Sequence, residues 1–493
     1  MAKEHRFVAV DFGAESGRAL LGTVSDGKIT LRELHRCPNG PVRTLGKNHW
    51  NILRLFEETK QGIRVAVAET GDDIHGIGVD TWGVDFGLFD EAGELLGNPY
   101  HYRDLRTDGM LDKAFEVVSK REIFEHTGIQ FMQINTLYQL YSMVLAGSPA
   151  LKHASTLLMT PDILNYWLTG RRVSEFSIAS TSQCLNPRTN DWARDLLAKF
   201  GIPTHIFADI VMPTEKIGAL VEDVSLEVAG AKGVPVFAPA THDTGSAVAA
   251  VPAKGDDWAY ISSGTWSLMG LELEQPVIND DSLNANFTNE GGVCGTYRFL
   301  KNIMGLWLVQ ECRRTWQKQG DELSYSELMQ MAQESDGFVS VVDPNASVFL
   351  TPGDMPARIQ AFCKETGQPV PETKGQIVRC ALDSLALEYR LTVESLDRMS
   401  GKHVKNIHIV GGGTQNTLLN QLAADCTGRT IITGPIEATA IGNVLIQAMG
   451  AGVVSSLAEA REIVRNSFGV VTYQPRPNPA VDKALTLFRQ VRA

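Results

Sequence analysis

The chain contains the same strand–turn–strand pattern twice, about half a chain apart. The first copy spans residues 7–24 and the second spans residues 258–273. In each copy, two apolar runs flank a tight turn of small polar residues and glycine, which is typical of a β-hairpin. Successive N–H groups in such a turn can bind an anion. A single copy is more often an ordinary glycine turn, but the two copies together predict two similar halves.

Length and charge narrow the class of protein. At 493 residues the chain exceeds what one hydrophobic core normally supports, so two large domains are expected. A polar, glycine-containing segment at 253–257 predicts a division into residues 1–252 and 253–493. The net charge of −12, from 45 Lys+Arg and 57 Asp+Glu, argues against a nucleic-acid partner.

The sequence gives no membrane or secretion signal. A strand is predicted from Phe7, with no signal peptide before it. The most apolar long segment, 441–454, is interrupted by glycines and polar residues and is predicted to be a buried helix. The seven cysteines are scattered without metal-binding spacing, which predicts reduced thiols in the cytoplasm. Whether Cys363 and Cys380 are paired is left open.

A carboxylate stands at a predicted helix start in the middle of the chain. The apolar segment 234–240 predicts a short buried strand, and Thr241 is the expected N-cap of the helix that follows. Asp243 then falls in the first turn, where the helix dipole stabilises a negative charge. Two interpretations remain open here: Asp243 stabilises the helix, or it faces a cleft as a functional group.

Two further strand ends carry residues that suit ligand binding. The strand at 406–410 ends in Gly411–Gly413, where glycine lets a phosphate or base approach the backbone closely. The parallel-type strand at 74–80 leads into Trp82 and Gly83, and Trp82 is either a ligand contact or a core residue. Neither a Walker A motif nor a G-x-G-x-x-G motif occurs.

Two local predictions concern charged and helical segments. Asp104 and Arg106 form an Asp-x-Arg pair in a polar loop, which predicts a surface salt bridge. Residues 303–319 are predicted to form a helix.

Two anion-binding hairpins, a glycine turn and an acidic helix start together suggest a nucleotide-binding protein. We expect an α/β protein of two actin-like, ribonuclease H-like domains with a catalytic cleft between them. A nucleotide would lie in the cleft, and the carboxylate would face its transferable phosphate. The expected activity is that of a phosphotransferase or an ATPase.

The sequence resembles the FGGY carbohydrate kinases over essentially its whole length. Within that family, residues 80–85 (Asp-Thr-Trp-Gly-Val-Asp) and 301–307 (Lys-Asn-Ile-Met-Gly-Leu-Trp) resemble the members that act on L-rhamnulose. The other matching runs are 10–18 (Val-Asp-Phe-Gly-Ala-Glu-Ser-Gly-Arg), 102–107 (Tyr-Arg-Asp-Leu-Arg-Thr), 241–244 (Thr-His-Asp-Thr), 262–270 (Ser-Ser-Gly-Thr-Trp-Ser-Leu-Met-Gly) and 410–413 (Val-Gly-Gly-Gly).

The resemblance implies ATP-dependent phosphorylation of L-rhamnulose at its O1 hydroxyl, a step of rhamnose catabolism. Asp243 would be the general base, and Asp11 would hold Mg²⁺ through water. The implied sugar contacts are Gly83, His242, Asp243, Thr244 and Asn302. The implied ATP contacts are Ala14, Glu15, Ser16, Gly17, Arg18, Thr265, Gln310 and Gly412.

Two departures from the family pattern affect these expectations. Ala14 stands where many members have threonine, so a hydroxyl contact to phosphate would come from Ser16 or be replaced by backbone. Residues 80–82 replace the Ser-Gly-Gln of relatives, which argues against xylulose or glycerol as substrate. The alternatives are a kinase for another ketose such as L-fuculose, or an actin-fold ATPase that is not a kinase. The absence of an appended peptide-binding domain disfavours a chaperone. The sequence does not determine the oligomeric state.

Overall fold

The computed structural model describes residues 3–492, which divide into two compact units. Unit 1 contains the residues up to Pro252 together with Glu272–Phe299 and Glu437–Phe468. Unit 2 contains Ala253–Leu271, Leu300–Ile436 and the residues from Gly469 on. The chain first changes unit after Pro252, and two later segments return to unit 1.

The strands are short and lie mainly in one large sheet per unit. In chain order they are β1 His5–Phe12, β2 Ser16–Ser25, β3 Lys28–Pro38, β4 Val42–Thr44, β5 Lys47–His49, β6 Gly76–Thr81, β7 Phe86–Phe89, β8 Thr156–Met159, β9 Ser174–Glu175, β10 Leu185–Asn186, β11 Asp191–Trp192, β12 Ile210–Val211, β13 Lys216–Ala219, β14 Pro235–Phe237, β15 Trp258–Ser263, β16 Trp266–Leu273, β17 Thr288–Gly291, β18 Tyr297–Met304, β19 Asn406–Val410, β20 Thr430–Thr433 and β21 Val471–Tyr473.

The helices fill the connections between these strands. In chain order they are α1 Ile52–Thr70, α2 Met110–Val117, α3 Lys120–Thr127, α4 Thr136–Leu145, α5 Pro149–His153, α6 Thr160–Thr169, α7 Phe176–Thr181, α8 Arg194–Lys199, α9 Glu222–Glu227, α10 Asp243–Ala249, α11 Asp280–Asn284, α12 Trp307–Lys318, α13 Tyr325–Gln333, α14 Met355–Glu365, α15 Lys374–Ser400, α16 Thr417–Thr427, α17 Ala438–Gly450, α18 Leu457–Ser467 and α19 Pro479–Val491. Short 3₁₀ helices lie at Leu105–Thr107, Thr204–Ile206, Ser347–Phe349 and Gly412–Gln415.

The sheets of the two units follow the same strand order. In unit 1 the order is β3-β2-β1-β6-β14-β13, with β1 antiparallel to β2 and parallel to β6. The second large sheet has the corresponding order β18-β16-β15-β19-β20-β21 beside one additional edge strand, β17, and β15 is antiparallel to β16 and parallel to β19. The last strand in each of these orders, β13 or β21, is antiparallel to its neighbour. The prediction of two similar α/β halves, each starting with a hairpin, is confirmed.

The apolar segment 441–454 forms most of helix α17, as predicted for a buried helix. Helix α17 packs against β1 and β6 and crosses helix α10 within unit 1. Gly442 permits the crossing, because a Cβ there would lie 1.8 Å from the backbone oxygen of Ser246. The close contact brings helix α17 against the start of the predicted catalytic segment.

None of the helices within residues 3–492 is long and apolar enough to cross a membrane.

Helix α12 begins later in the chain than the sequence predicts. The helix predicted at 303–319 begins only at Trp307, because strand β18 continues to Met304 and occupies its first residues.

All seven cysteines are free, and Cys363 and Cys380 are neighbours that share a hydrogen bond rather than a disulfide. This hydrogen bond lowers the pKa of the Cys363 thiol.

Candidate active site

Asp243 is the first residue of helix α10, and one side of its carboxylate is fixed. Oδ1 accepts the backbone N–H of Thr244 at 2.5 Å and the Thr244 hydroxyl at 3.2 Å. Oδ2 takes part in neither bond, and 31% of the side-chain surface is exposed. The site therefore offers one anchored oxygen and one that is available, which suits a group that accepts a proton from a bound hydroxyl.

The prediction that Thr241 caps helix α10 is wrong, because its hydroxyl is bonded elsewhere. His242 holds the N-cap position. Thr241 donates both its hydroxyl, at 2.6 Å, and its N–H, at 3.0 Å, to Oε2 of Glu175. Glu175 is fully buried and also accepts bonds from Ser177 and from the N–H of Ile178. Burial raises the pKa of Glu175, and these bonds oppose that change.

A buried ion pair orients His242. The guanidinium of Arg298, which is 0% exposed, lies 3.1 Å from the carboxylate of Glu290 and donates Nε–H to the carbonyl of Gly291 at 2.9 Å. His242 Nδ1 lies 3.2 Å from Glu290 Oε2 and 3.1 Å from Arg298 Nη2. Its Nε2 lies 3.5 Å from Asp243 Oδ1. The imidazole thus connects the ion pair to the carboxylate.

Two buried carboxylates of unit 1, Asp80 and Asp243, have raised pKa values, and the charge of Asp11 contributes to both. Asp11 and Asp80 occupy paired positions on the neighbouring parallel strands β1 and β6. Burial raises the pKa of Asp80 well above 3.8, and the charges of Asp11 and Asp243 act in the same direction. Burial also raises the pKa of Asp243, opposed by His242 and reinforced by Asp11. A cluster of this kind favours a bound cation or a shared proton.

Helix α17 and the first hairpin supply the polar partners of these carboxylates. Arg18 donates Nε–H and Nη2–H to Asp11 Oδ2 at 3.1 and 3.0 Å and also pairs with Glu437. Asn443 donates to Asp80 Oδ2 at 2.5 Å, while Asp80 Oδ1 is buried without a hydrogen bond. Arg18, a predicted ATP contact, is therefore held beside Asp11 in this structure.

The turn of the first hairpin is a constrained loop with an exposed tip. Its ends are tied by a bond from the N–H of Gly13 to the carbonyl of Ser16 at 2.9 Å. Asn39, just beyond strand β3, donates its side-chain amide to the Gly13 carbonyl at 2.8 Å and its N–H to the Glu15 carbonyl at 2.9 Å. Glu15 and Ser16 are exposed and Ala14 is half-buried. Ala14 has no hydroxyl group, so the exposed Ser16 supplies the hydroxyl nearest to it in this turn.

Gly83 follows strand β6 at a crowded position. A Cβ at Gly83 would lie 3.1 Å from the side chain of Thr181. Its neighbour Trp82 is buried, stacks on Trp50 at 4.0 Å between ring centroids, and donates its indole N–H to Asp85 Oδ2 at 3.0 Å. These contacts favour the core interpretation of Trp82 over a ligand contact.

Asp85 and Arg106 form a polar cluster through Gln139 that the sequence pattern does not predict. Asp85 accepts the indole N–H of Trp50 at 2.5 Å and the side-chain amide of Gln139 at 3.0 Å. Burial raises the pKa of Asp85 to about 6. Arg106 donates to Gln139 Oε1 at 2.5 Å and stacks on the ring of Tyr100 at 3.9 Å. Burial lowers the pKa of Arg106 to about 10.

The predicted surface salt bridge between Asp104 and Arg106 is therefore wrong. The Asp104 side chain is buried and accepts backbone N–H groups, from Asn48 at 2.8 Å and from Arg106 at 3.0 Å. It caps the 3₁₀ helix Leu105–Thr107 and so directs the Arg106 side chain inward.

Unit 2 brings two of its predicted ATP-binding turns together. Thr265 lies in the β15–β16 turn, which is closed by a bond from the N–H of Gly264 to the carbonyl of Trp266 at 2.8 Å. The glycine turn after strand β19 packs on the same turn, since a Cβ at Gly413 would lie 1.9 Å from Ser263 Oγ. A Cβ at Gly412 would meet no atom within 4 Å, so the backbone there is open to a ligand.

The other two predicted residues of unit 2 lie on neighbouring elements. Asn302 is half-buried on strand β18. Gln310 lies in the first turn of helix α12, and its side-chain oxygen is buried without a hydrogen bond. Buried acceptors usually have a hydrogen-bond partner, so this oxygen is a candidate acceptor for a bound ligand.

Comparison with known proteins places the chain in a family. The sequence model of the N-terminal domain of the FGGY family of carbohydrate kinases matches residues 7–250, and that of the C-terminal domain matches residues 259–451. The chain belongs to the FGGY family of carbohydrate kinases. This family consists of phosphotransferases that use ATP.

Individual relatives agree with this assignment. The chain is 45% identical to a rhamnulokinase from Bacteroides thetaiotaomicron over 486 residues, which cover 99% of each chain. It is 40% identical to a rhamnulokinase from Bacillus subtilis over 472 residues, 95% of each chain. Among solved structures, a ligand-bound xylulose kinase from Lactobacillus acidophilus superposes with a TM-score of 0.82 at 16% identity, covering 99% of this chain and 98% of that one. This last likeness concerns the fold alone.

Four buried charged residues around the FGGY kinase site were not found from the sequence. They are Glu175, Asp85, Glu290 and Arg298. A signal was present for Arg298, because it is the first charged residue inside the otherwise apolar start of strand β18. Charged residues are almost never fully buried unless they are paired, so an arginine in an apolar strand predicts a buried carboxylate partner.

Proposed function

We propose that this FGGY kinase transfers the γ-phosphoryl group of ATP to the O1 hydroxyl of L-rhamnulose. The observation that carries the proposal is the likeness to rhamnulokinases along nearly the whole chain, at 45% identity in the first case above. The free thiols of all seven cysteines support a cytoplasmic location.

Asp243 acts as the general base in this proposal. Its Oδ1 is anchored by Thr244, so Oδ2 is the oxygen that accepts the proton of the sugar hydroxyl as that hydroxyl attacks phosphorus. His242, whose imidazole is held by the Glu290–Arg298 ion pair, presents a polar ring beside the same sugar. Gly83, Thr244 and Asn302 complete the proposed sugar contacts. Phosphoryl transfer depends mainly on such positioning and on charge stabilisation.

The two glycine-containing hairpin turns bind the nucleotide. In the first turn, Ala14–Arg18 supply backbone N–H groups, and the exposed Ser16 provides the hydroxyl that replaces the threonine of relatives. Thr265, Gln310 and Gly412 are the proposed contacts in unit 2. The open backbone at Gly412 supports close approach of the nucleotide there.

The carboxylates of unit 1 fit a magnesium ion. Hard oxygen ligands suit Mg²⁺, and the buried, unbonded Oδ1 of Asp80 beside Asp11 is the kind of oxygen that a hydrated cation would satisfy. Asp11 would hold the ion through water. When bound, Mg²⁺ would neutralise charge on the phosphates.

L-Rhamnulose should give the highest kcat/KM in a panel of 2-ketoses assayed with saturating ATP. The panel should include L-fuculose and D-xylulose, with the Asp243→Asn variant as the blank for background hydrolysis. Higher efficiency with L-fuculose or D-xylulose would contradict the proposed substrate while leaving the family assignment intact. ATP turnover that does not depend on any ketose would instead favour the non-kinase ATPase.

The rate should fall on the acidic side of its pH profile at a pH above the ordinary aspartate pKa of 3.8. The reason is that burial and the charge of Asp11 raise the pKa of Asp243. A raised pKa means that the base becomes protonated, and inactive, at a higher pH as acid is added. The measurement is kcat against pH with saturating substrates, alongside Tm at each pH. An acidic limb that only follows loss of folded protein would argue against this assignment.

A further inference from the structure

Three potential metal ligands converge on one side of the first sheet, apart from the site described above. His35 and Cys37 are two residues apart on strand β3 and so lie on the same face. Glu58 lies on helix α1, which packs over that face. The ligand atoms of the three side chains all lie within 4.8 Å of one another, and His35 Nε2 is 2.5 Å from Glu58 Oε2.

The chemistry of the three donors is selective. Thiolate, imidazole and carboxylate together form a set that suits zinc, whereas Mg²⁺ and Ca²⁺ prefer oxygen ligands alone. We propose that His35, Cys37 and Glu58 bind a zinc-class divalent cation, with water as the fourth ligand. As the cation binds, the Cys37 thiol loses its proton to solvent and a sulfur–metal bond forms.

Access to the cluster is from one side. Cys37 is 4% exposed and forms the floor, while the side chains of His35 and Glu58 are 23% and 20% exposed. This arrangement leaves a path for the cation and for a coordinating water. Arg54 donates Nε–H to the other carboxylate oxygen of Glu58 at 3.4 Å, so it orients Glu58 while leaving Oε2 toward His35.

The site is joined to the first hairpin turn through strand β3. Cys37 pairs with Gly17 in the β2–β3 ladder, and a Cβ at Gly17 would lie 3.1 Å from Cys37 Sγ. Two residues on, Asn39 makes the bonds to Gly13 and Glu15 that hold the turn. A cation bound to Cys37 would therefore restrain the end of strand β3 and, through Asn39, the turn, so the KM for ATP should change. This consequence rests on the proposed function, whereas metal binding itself does not.

Cobalt substitution in the full-length protein tests the site directly. Co²⁺ bound to a thiolate gives a near-ultraviolet charge-transfer absorption, so the wild-type protein should show this band and lose it when Zn²⁺ is added. Cys37→Ser should abolish the band. Cys294→Ser is the matched control, because Cys294 is exposed and outside the cluster, and it should keep the band. A band absent from the wild type, or kept in Cys37→Ser, would overturn the proposal.

Variants of the two partly exposed ligands provide a second test in case Cys37→Ser does not fold. His35→Gln and Glu58→Gln should each weaken Zn²⁺ binding about tenfold or more, measured by calorimetry on protein whose Tm is unchanged. Unchanged Zn²⁺ affinity in both variants would refute the site. If Zn²⁺ binds as expected but the KM for ATP does not change, the metal site stands and its coupling to the turn is wrong.

Discussion

Replacing Asp243 by asparagine should lower kcat by about 10²–10⁴-fold while leaving thermal stability nearly unchanged. The amide oxygen of asparagine can still accept the two bonds from Thr244 that anchor Oδ1. What the variant loses is the second carboxylate oxygen and the ability to take a proton. In a loose transition state the base acts late, which favours the lower part of this range.

The measurement pairs a steady-state rate at saturating ATP and ketose with a thermal melt. Asp223→Asn is the matched control, because Asp223 is an exposed acidic residue in the first turn of helix α9 and should leave kcat unchanged. If Asp243 only stabilised its helix, Asp243→Asn would turn over at close to the wild-type rate. That result would refute the assignment of the base.

Replacing Glu175 by alanine should destabilise the protein by about 3–5 kcal/mol and reduce activity as well. The variant would leave the N–H and hydroxyl of both Ser177 and Thr241 without their buried acceptor. Because Thr241 stands two residues before Asp243, loosening it should also displace the proposed base. Glu175→Gln keeps one acceptor oxygen and should therefore lie between alanine and the wild type.

Urea unfolding of the full chain gives the stability change, and kcat is measured where the variant remains folded. Glu222→Ala is a suitable control, since Glu222 is an exposed glutamate at a helix start and contacts only Lys232 at 3.4 Å among the described ion pairs. Its effect should stay within about 0.5 kcal/mol. Equal urea midpoints for Glu175→Ala and Glu222→Ala would contradict the structural role assigned to Glu175.

Local sequence patterns predicted the repeated framework of the fold. Strands β1 and β2 around one glycine turn, and strands β15 and β16 around another, follow from short apolar runs and turn residues within about 18 positions. The sequence pattern correctly predicts Asp243 in a first helical turn, although the N-cap is His242 and not Thr241.

Long-range contacts were decided by the tertiary structure alone. Asn443 bonds Asp80 across 363 positions of the chain, and Glu175 bonds Thr241 across 66. The Asp104-x-Arg106 pair illustrates the same limit, because the sequence shows that the residues are close but not that the Asp104 side chain is buried. Burial changes the outcome: it replaces water with a few specific partners and shifts pKa values, as for Arg106.

The sequence by itself therefore determined the two hairpin turns, the α/β character of each half and the position of Asp243 at a helix start. These depend on backbone preferences and on apolar periodicity, which act over a few residues. Only the tertiary structure decided how the two residues before Asp243 are held: Glu175 binds Thr241, and the Glu290–Arg298 pair contacts His242. A buried charge needs partners at defined distances, and the chain supplies them from distant segments whose local sequence does not show which residues will pair.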